Sequence, residues 1–502
     1  MKKVKMKRKS GMLLPVFSLP SEYGIGDFGK ECYKFIDFLK KTGQRVWQIL
    51  PLVQTGYGNS PYSSVSSESF NPYFISPELL EKQGLLNEKE TAFSRYDGKY
   101  VDYGFLYSVR FPLLKKAFSR FDRNDKDFRA FTERGEALDY ALFMTLKYES
   151  GQKHFYEWEH KYKYRDKAAL KTFAENYKEE ILFWQFVQYE AEREWFAVKN
   201  YAAENGVEIL GDMPLYVAHD SVDVWKNPEL FKLDENLMPT EVAGVPPDYF
   251  CADGQLWGNP VYDYAAHAKD GFKWWTDRLK KALKLFDLVR IDHFRGLDRF
   301  YKVKAGESSA RVGEWEKVPS DELFAAIHKE TDKTRIVAED LGIIDDGVRE
   351  LLKKTGYPGM RVLSFAFNGE SGNPYLPENV EENSVCYTAT HDNDTLRGLI
   401  EGFSEWDKNN LVNGVKNSLR VAGIDEKTDT TEDLINAIIR LGFNCKSKLF
   451  VAPIQDLLSL GSDYRINEPG TVKPQNWAVK FGRGQIDEAA DKLKKLTAEY
   501  KR

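Results

Sequence analysis

Cysteine is scarce in this chain, with four among 502 residues: Cys32, Cys251, Cys386 and Cys445. They form no Cys-x-x-Cys pair and have none of the spacings of a structural zinc site. A chain of this length can bury a core large enough to need no disulfide framework. We therefore expect a reducing, cytoplasmic compartment and thiols that remain free.

A strong excess of one charge is also lacking. The net charge is −5 at pH 7 although 30% of the residues are charged, which argues against a dedicated nucleic-acid or membrane-surface role. No stretch approaches the roughly 18 apolar residues that span a bilayer. After the basic start MKKVKMKRKS, the prolines and serine of GMLLPVFSLP interrupt the apolar run of about 7–15 residues that a signal peptide needs. We expect a solvated basic tail and no secretion.

Signatures of several other enzyme classes are missing from the sequence. The seven histidines form no HExxH motif and no close cluster. No serine lies in a nucleophile elbow, and no phosphate-binding loop is present. Residues 24–29 fit GxGxxG, but the preceding LPSEY reads as a loop, whereas a dinucleotide-binding fold requires a strand there. We expect no metal and no cofactor.

The sequence does contain an alternation of short apolar strands and helical segments. The first clear helix spans about residues 30–42 and stops at Gly43. Strands that alternate with helices favour a parallel α/β barrel, the (β/α)8 TIM barrel, which is of ordinary size for 502 residues with insertions. Eight strands are predicted within residues 45–51, 69–80, 207–210, 286–292, 335–339, 360–367, 384–387 and 449–461.

Two segments are too long for ordinary barrel loops. Residues from about 85 to 203 are helical and strongly charged, and the apolar residues of 181–187 have the spacing of a helix that is buried on one face. Residues 241–264, within a region of about 226–275, carry three prolines and several glycines, so we expect a long ordered loop there. We predict one catalytic barrel over residues 1–502 with these two insertions, and no C-terminal β-sandwich.

Charged residues end three consecutive strands of the predicted barrel. FDLVRIDHFRG runs through an apolar stretch to Arg290 and Asp292, which point to the same side of a strand. RIVAEDLG ends with Glu339, and SVCYTATHDND ends with His391 and Asp392. The C-terminal ends of barrel strands meet at one face, where the active sites of such barrels lie.

These carboxylates can be interpreted in two ways. An Arg–Asp pair at one strand end serves stability as readily as catalysis. Two carboxyl groups that flank one bond are the apparatus of glycoside cleavage, one as acid/base and the other as nucleophile. A third carboxylate would raise the pKa of the acid and stabilise an oxocarbenium-like centre. The recurrence at three strand ends favours catalysis, although spacing alone does not assign the roles.

Aromatic residues make up 14% of the chain, and many lie in polar, glycine-rich stretches. Most aromatic rings serve core packing, but their flat faces also suit the apolar faces of sugar rings. Tyr57 and Tyr62 lie in the loop TGYGNSPYSS, and Trp257 lies in the WGNP of the 241–264 segment. These three residues are candidates for sugar contacts, and for Tyr57 and Tyr62 the alternative is loop packing.

The quoted motifs resemble those of one family. VRIDHFRG, VAEDLG and THDND, with NSPY and WGNP, are similar over nearly the whole chain to the 4-alpha-glucanotransferases (amylomaltases, or disproportionating enzymes) of glycoside hydrolase family 77. The resemblance implies a retaining double displacement on α-1,4-glucans and maltooligosaccharides. It implies Asp292 as nucleophile, Glu339 as general acid/base and Asp392 as transition-state stabiliser. The implied substrate contacts are Tyr57, Tyr62, Asp212, Phe250, Gln255, Trp257, Asn259, Arg290 and His391.

The resemblance also gives some of these contacts a more specific place. It implies that Tyr62 stacks on the sugar beside the cleaved bond and that Tyr57 lies at an outer glucan site. It implies that Asp212 binds sugar hydroxyls, with a helix N-cap or turn residue as the alternative. Near the C-terminus, GSDYRINEPGT resembles the closing motif of the family, but QNWAVKF departs from the expected basic aromatic run. We therefore assign no substrate contact to Trp477.

Two rival functions share some of these features. An α-amylase-like hydrolase would use the same three carboxylates with water as acceptor, whereas the aromatic segment around Trp257 favours transfer because it would exclude water. A glucan-binding protein would not need three carboxylates at adjacent strand ends. The retaining mechanism predicts carboxyl groups of Asp292 and Glu339 roughly 5–5.5 Å apart. It also predicts a Glu339 pKa near about 6–7 and an Asp292 that Arg290 keeps ionised.

Overall fold

The computed structural model describes residues 8–56, 58–247 and 252–502. These residues form twelve strands, which are, in chain order, β1 (Lys9–Leu13), β2 (Val46–Gln48), β3 (Glu208–Met213), β4 (Glu241–Val245), β5 (Gln255–Pro260), β6 (Leu288–Ile291), β7 (Arg299–Lys304), β8 (Glu314–Lys317), β9 (Ile336–Ala338), β10 (Gly359–Val362), β11 (Ser384–Tyr387) and β12 (Leu449–Pro453).

Eight of the strands form a parallel barrel whose neighbours in space are also neighbours along the chain. Their order is β1-β2-β3-β6-β9-β10-β11-β12, and β12 pairs with β1. Between β9 and β10, the N–H of Ala338 donates to the carbonyl of Pro358 at 2.9 Å. The strands are largely buried, which explains their continuous apolar character. The prediction of a (β/α)8 barrel is confirmed.

The first barrel strand differs from the prediction. Lys9, Ser10 and Gly11 give β1 too short an apolar run to stand out from the basic start of the chain. A Cβ atom on Gly11 would lie 2.4 Å from the carbonyl oxygen of Val46, so a glycine permits the close approach of β1 and β2. The predicted strand within 69–80 is wrong, because that segment forms a 3-10 turn and a helix that both begin at a proline.

Helices cover the outside of the barrel and fill the first insertion. No helix of the described residues is long and apolar enough to cross a membrane. The helices are α1 (Lys30–Thr42), α2 (Pro77–Lys82), α3 (Glu88–Ala92), α4 (Tyr103–Arg120), α5 (Lys126–Glu133), α6 (Leu138–Glu149), α7 (His160–Lys163), α8 (Lys167–Asn176), α9 (Lys178–Glu204), α10 (Val222–Lys226), α11 (Tyr264–Lys269), α12 (Lys273–Leu285), α13 (Ser320–Glu330), α14 (Asp346–Thr355), α15 (Leu396–Gly402), α16 (Glu405–Ala422), α17 (Thr431–Asn444), α18 (Ile454–Leu457) and α19 (Ala490–Tyr500).

The predicted helical character of residues 85–203 is confirmed by α3 to α9. The aromatic and aliphatic stripe of α9 is core, since Ile181, Trp184, Phe186 and Val187 are all buried. Helix α1 also ends as predicted, with Gly43 in the left-handed conformation that closes many helices. The division of the chain into one barrel and two insertions stays a prediction.

The expected long loop at residues 241–264 is wrong in part. This segment contributes β4 and β5 to a four-stranded antiparallel sheet of order β5-β4-β7-β8. Gly244 permits the pairing, because a Cβ atom there would lie 2.5 Å from the carbonyl oxygen of Gln255. The prolines fall outside the paired interior, with Pro246 after β4 and Pro260 at the last position of β5. The sheet therefore tolerates residues that usually break strands.

A buried carboxyl next to α1 gives a prediction about stability. Asp27 accepts a hydrogen bond from the N–H of Gly29 at 2.8 Å, and burial raises its pKa from 3.8 to about 6. Because the pKa of Asp27 is higher in the folded state, the folded protein loses stability as the pH rises from 3.8 to about 6. At about 1.4 kcal/mol for each pKa unit of the shift, the full cost, reached above pH 6, is at most roughly 3 kcal/mol.

Asp27→Asn should therefore unfold at a temperature a few degrees higher than the wild type at pH 8, and at the same temperature below about pH 4. Asparagine keeps the oxygen that accepts from Gly29, so the gain comes from removing the buried charge. Thermal unfolding between pH 4 and 8 measures the difference. Asp491→Asn, on the exposed face of α19, is the control. A gain that does not change with pH would contradict the explanation.

Candidate active site

Strand β6 brings Arg290 and Asp292 to the C-terminal mouth of the barrel. It ends at Ile291, so Asp292 begins the turn that follows. Nη1 of Arg290 lies 2.9 Å from Oδ1 of Asp292, and 24% of the Asp292 side chain is exposed. The carboxylate is therefore held by an ion pair through one oxygen and is still accessible to a ligand.

The same guanidinium holds a second carboxylate on the neighbouring strand. Asp212 on β3 lies opposite Arg290 in the parallel register. Nη1 of Arg290 donates to both carboxylate oxygens of Asp212, at 2.7 and 2.6 Å. The hydroxyl of Tyr62 donates to Oδ2 of Asp212 at 2.6 Å. Because Asp212 lies within a strand, the alternative of a helix N-cap is wrong, and the structure joins these residues in one buried network.

Glu339 follows β9, the next strand around the barrel. Its Oε2 accepts from the N–H of His293 at 2.7 Å, and its Oε1 accepts from the N–H of Leu341 at 2.8 Å. His293 directly follows Asp292 in the chain. The backbone of the β6 turn therefore fixes the Glu339 carboxyl next to the residue that carries the other carboxyl.

The electrostatics of this pair favour retention of a proton. Burial raises the pKa of Asp292 and of Glu339, and Arg290 opposes the rise at each. The nearby charges of Asp212, Glu339 and Asp392 raise the pKa of Asp292 further. Two interacting carboxyls titrate as a pair, and once one of them is ionised the other keeps its proton to a higher pH than an exposed carboxyl does. That Asp292 is the ionised member and Glu339 the protonated one stays a prediction.

Asp392 lies in the loop after β11 and is held from two sides. Nε2 of His391 is 3.3 Å from its Oδ2, and the side-chain amide of Asn467 donates to its Oδ1 at 2.6 Å. Burial lowers the pKa of His391, which favours a neutral imidazole. The Asp392 side chain is 41% exposed, so this carboxylate also faces open space at the barrel mouth.

The aromatic wall of the site is formed by Tyr62 and His391. Their rings are parallel, with centroids 5.3 Å apart and an interplanar angle of 5°. Tyr62 reaches Asp212 through its hydroxyl, and His391 reaches Asp392 through Nε2. The wall therefore links a carboxylate of strand β3 with a carboxylate of the loop after β11.

The antiparallel sheet of β5, β4, β7 and β8 brings Trp257, which lies in β5, to the same region. Its ring contacts the His293 ring edge-to-face, with centroids 4.9 Å apart, and 36% of the residue is exposed. The Trp257 indole N–H donates to Oε1 of Gln255 at 3.1 Å. Asn259 donates instead to the carbonyl of Val217 in the loop after β3, at 2.8 Å. The structure thus places Trp257 and Gln255 beside the turn of Asp292 and uses the Asn259 amide to hold a neighbouring loop.

Two of the predicted substrate contacts, Tyr57 and Phe250, lie outside the described residues. Two other polar residues of the site were not singled out from the sequence, namely His293 and Asn467. Asn467 lies in the RINEPG motif, which was the available signal.

His293 combines three unusual properties. Its backbone is left-handed with φ 46°, which is uncommon outside glycine. Its Nε2 is buried and has no hydrogen-bond partner among the described residues. Burial lowers its pKa to about 4, so the ring is neutral at pH 7. Such a group suits a ligand hydroxyl, and its position directly after Asp292 was the signal in the sequence.

The barrel and the carboxyl cluster at its mouth define a carbohydrate-active enzyme of the α/β-barrel class. Comparison with known proteins specifies the family. The family model described as 4-alpha-glucanotransferase, glycoside hydrolase family 77, matches residues 14–484, and the chain belongs to this family.

Relatives match over almost their full length. The chain is 41% identical to the 4-alpha-glucanotransferase of Clostridium butyricum, with 97% of this chain and 99% of that protein covered. It is also 41% identical to the 4-alpha-glucanotransferase of Thermus thermophilus, with 96% of each covered. The structure of the amylomaltase from Streptococcus agalactiae in complex with acarbose superposes with a TM-score of 0.93 at 36% identity, covering 99% of this chain and 100% of that chain.

Proposed function

We propose that this chain transfers a segment of an α-1,4-glucan to the 4-hydroxyl of an acceptor glucan or glucose, with retention of configuration. One observation supports the proposal above the others. The N–H of His293, the residue after Asp292, donates to Oε2 of Glu339 at 2.7 Å. The interacting carboxyls of Asp292 and Glu339 therefore lie close together at the barrel mouth. Such a pair is what a retaining mechanism requires.

In the first step, Asp292 attacks the anomeric carbon of the donor sugar. Arg290 engages Oδ1, so Oδ2 is the oxygen that forms the new bond. The bond from C1 to the leaving O4 breaks, and Glu339 gives its proton to that oxygen. The product of this step is a glucosyl ester on Asp292 and a shortened glucan with a free 4-hydroxyl. Burial of Glu339, which raises its pKa, favours the protonated form that the step needs.

In the second step, Glu339 acts as a base. It takes the proton from the 4-hydroxyl of an acceptor while that oxygen attacks C1, and the ester bond to Asp292 breaks. The acceptor oxygen forms the new glycosidic bond, and Glu339 regains its proton. Asp392 stabilises the charge that develops at the sugar in both steps. The chain's own residues therefore complete the cycle without a cofactor.

The remaining residues bind and orient the glucan in this proposal. Tyr62 stacks on the donor sugar, and Asp212 and His391 bind its hydroxyls. Trp257 and Gln255 contact the acceptor sugar and reduce the access of water to the site. Asn259 supports the loop after β3, and Phe250 and Tyr57 are proposed as further contacts, Tyr57 at an outer glucan site. We expect acarbose, the ligand of the Streptococcus agalactiae amylomaltase, to bind here too.

The expected setting of the enzyme is the cytoplasm. The described cysteines, Cys32, Cys386 and Cys445, are free and buried, which suits a reducing compartment. The expected partners are α-1,4-glucans and maltooligosaccharides, without nucleic acid or membrane. No group of three or more metal-ligating side chains occurs in the part of the chain that the structure describes.

Incubation of the purified protein with maltotriose tests the function. Transfer should give glucose and a ladder of longer maltooligosaccharides while the number of reducing ends stays constant, because each transfer breaks one glycosidic bond and forms another. Chromatography and a reducing-end assay measure the two quantities. Glucose and maltose with a rising number of reducing ends would mean a hydrolase. Unchanged maltotriose with intact glucan binding would mean a binding protein.

A further inference from the structure

The segment before the C-terminal helix contributes an aromatic ring to the active site. Trp477 is only 6% exposed, and its ring centroid lies 5.6 Å from that of Tyr62 and 6.0 Å from that of His391. Since Tyr62 and His391 are themselves 5.3 Å apart, the three centroids form a nearly equilateral triangle. The Trp477 ring is tilted by 44° and 42° against the two parallel rings, so it packs against both of them in the same way.

The backbone of Trp477 adopts a conformation that its side chain disfavours. Its φ is 61°, in the left-handed region, where bulky residues are rare. Residues are held in this region only when their surroundings fix them, and such strain concentrates at functional sites. The Trp477 backbone adopts this conformation while the ring packs beside the stacked pair of Tyr62 and His391.

Two hydrogen bonds fix this backbone to parts of the site that come from elsewhere in the chain. The N–H of Trp477 donates to the carbonyl of Ile466 at 2.7 Å, next to the Asn467 that binds Asp392. The hydroxyl of Tyr103, in the first turn of α4, donates to the carbonyl of Trp477 at 2.7 Å. Trp477 therefore connects the helical insertion, the loop of Asn467 and the aromatic wall.

We propose that Trp477 is a positioning residue for the donor-sugar site, because its ring holds Tyr62 and His391 parallel and thereby aims their polar atoms at Asp212 and Asp392. This inference rests on the proposed function. Tyr62 bonds Asp212, and His391 contacts Asp392, so a rotation of either ring would move one end of the wall away from its carboxylate. Preorganised donors act mainly on the transition state, and a misplacement of about 1 Å can cost about 100-fold in rate.

The variant Trp477→Gly distinguishes the role of the ring from the role of the backbone conformation. Glycine adopts a φ of 61° without strain, so the turn and its two hydrogen bonds can persist while the ring is lost. Trp477→Phe keeps a smaller ring in the same place. Phe272→Gly is the matched control, because Phe272 is also buried, has a φ of 60° and precedes α12 on the outside of the barrel.

We expect Trp477→Gly to lower kcat for maltotriose transfer by about 10- to 100-fold, with KM within about threefold of wild type. Acarbose carries a flattened ring that resembles the oxocarbenium-like centre, so its binding should weaken by a similar factor. Trp477→Phe should recover kcat to within about threefold. Phe272→Gly should lower the unfolding temperature and leave kcat unchanged in the folded protein.

The inference fails if Trp477→Gly keeps kcat within threefold of wild type. The inference also fails if the lower kcat of this variant is fully explained by a smaller fraction of folded protein, or if the variant binds acarbose as tightly as the wild type. A failure of the proposed function is a different result, since the wild-type protein would then give no ladder from maltotriose.

Discussion

Asp292→Asn is expected to lower the rate of glucan transfer by about 10⁴-fold, which corresponds to about 5 kcal/mol in the barrier. The asparagine amide is a poor nucleophile and cannot form the glycosyl ester. Its oxygen can still accept from Nη1 of Arg290, which contacts Asp292 at 2.9 Å, so the surroundings are kept. The loss should therefore fall on the chemical step, with little change in glucan binding.

The initial rate of ladder formation from maltotriose measures the effect, and titration with acarbose measures binding in the same variant. Asp346→Asn is the control for the substitution itself, because its side chain is 93% exposed in the first turn of α14. The control should retain wild-type activity. Residual transfer above about 1% of wild type in Asp292→Asn would show that another group forms the covalent intermediate.

The same result bears on the ion network around Arg290. This guanidinium contacts both Asp212 and Asp292, but its single positive charge cannot offset two carboxylates, and the pKa of Asp292 is still raised by burial and by its carboxylate neighbours. Removal of the Asp292 charge leaves Arg290 paired with Asp212 alone. Because this remaining buried pair has one positive and one negative charge, it avoids the large cost of an isolated buried charge. We therefore expect Asp292→Asn to fold.

The strand ends of the site could be predicted because they depend on local patterns. Arg290 and Asp292 are two residues apart at the end of an apolar run, and the period of a strand puts them on one side. Glu339 and Asp392 follow equally clear apolar runs. The rule that barrel strands expose their C-terminal ends at one face then brings these residues together without any knowledge of long-range contacts.

Elements whose formation depends on close backbone approach could not be predicted in the same way. β1 contains Gly11, and β4 contains Gly244, and at both positions a side chain would collide with a neighbouring strand. A glycine reads as a breaker in a single sequence, since the partner that requires it is not visible. The proline-rich 241–264 segment was expected to be a loop for the same reason.

Contacts between distant segments also lie beyond local patterns. Tyr62 and Asp212 are 150 residues apart, and Asn467 binds Asp392 from a loop 75 residues further on. Trp477 occupies a left-handed turn that no pattern of apolar spacing indicates. The resemblance to the family named several of these residues, but the hydrogen bonds that join them follow from the structure.

Glu339→Ala should lower maltotriose transfer by about 10³-fold, within the range of general acid–base catalysis. Glu339 is buried, its pKa is raised by burial, and its two oxygens are oriented by the N–H groups of His293 and Leu341. A glucan oxygen is a poor leaving group and needs the proton. With a donor such as α-maltotriosyl fluoride, the leaving group is fluoride, which needs no proton from Glu339. The rate of formation of the covalent intermediate should therefore recover to within about tenfold of wild type.

The second step then distinguishes an acid/base from a residue that only maintains the fold. Without Glu339, no base activates the acceptor 4-hydroxyl, so the intermediate should accumulate after addition of the fluoride donor. Mass spectrometry of the peptide that contains Asp292 should detect one attached glucanosyl group. Azide needs no base and should restore turnover with an α-glucanosyl azide as product. If azide does not restore turnover while the variant remains folded, Glu339 is not the acid/base, because a missing base is the defect that an anionic nucleophile bypasses.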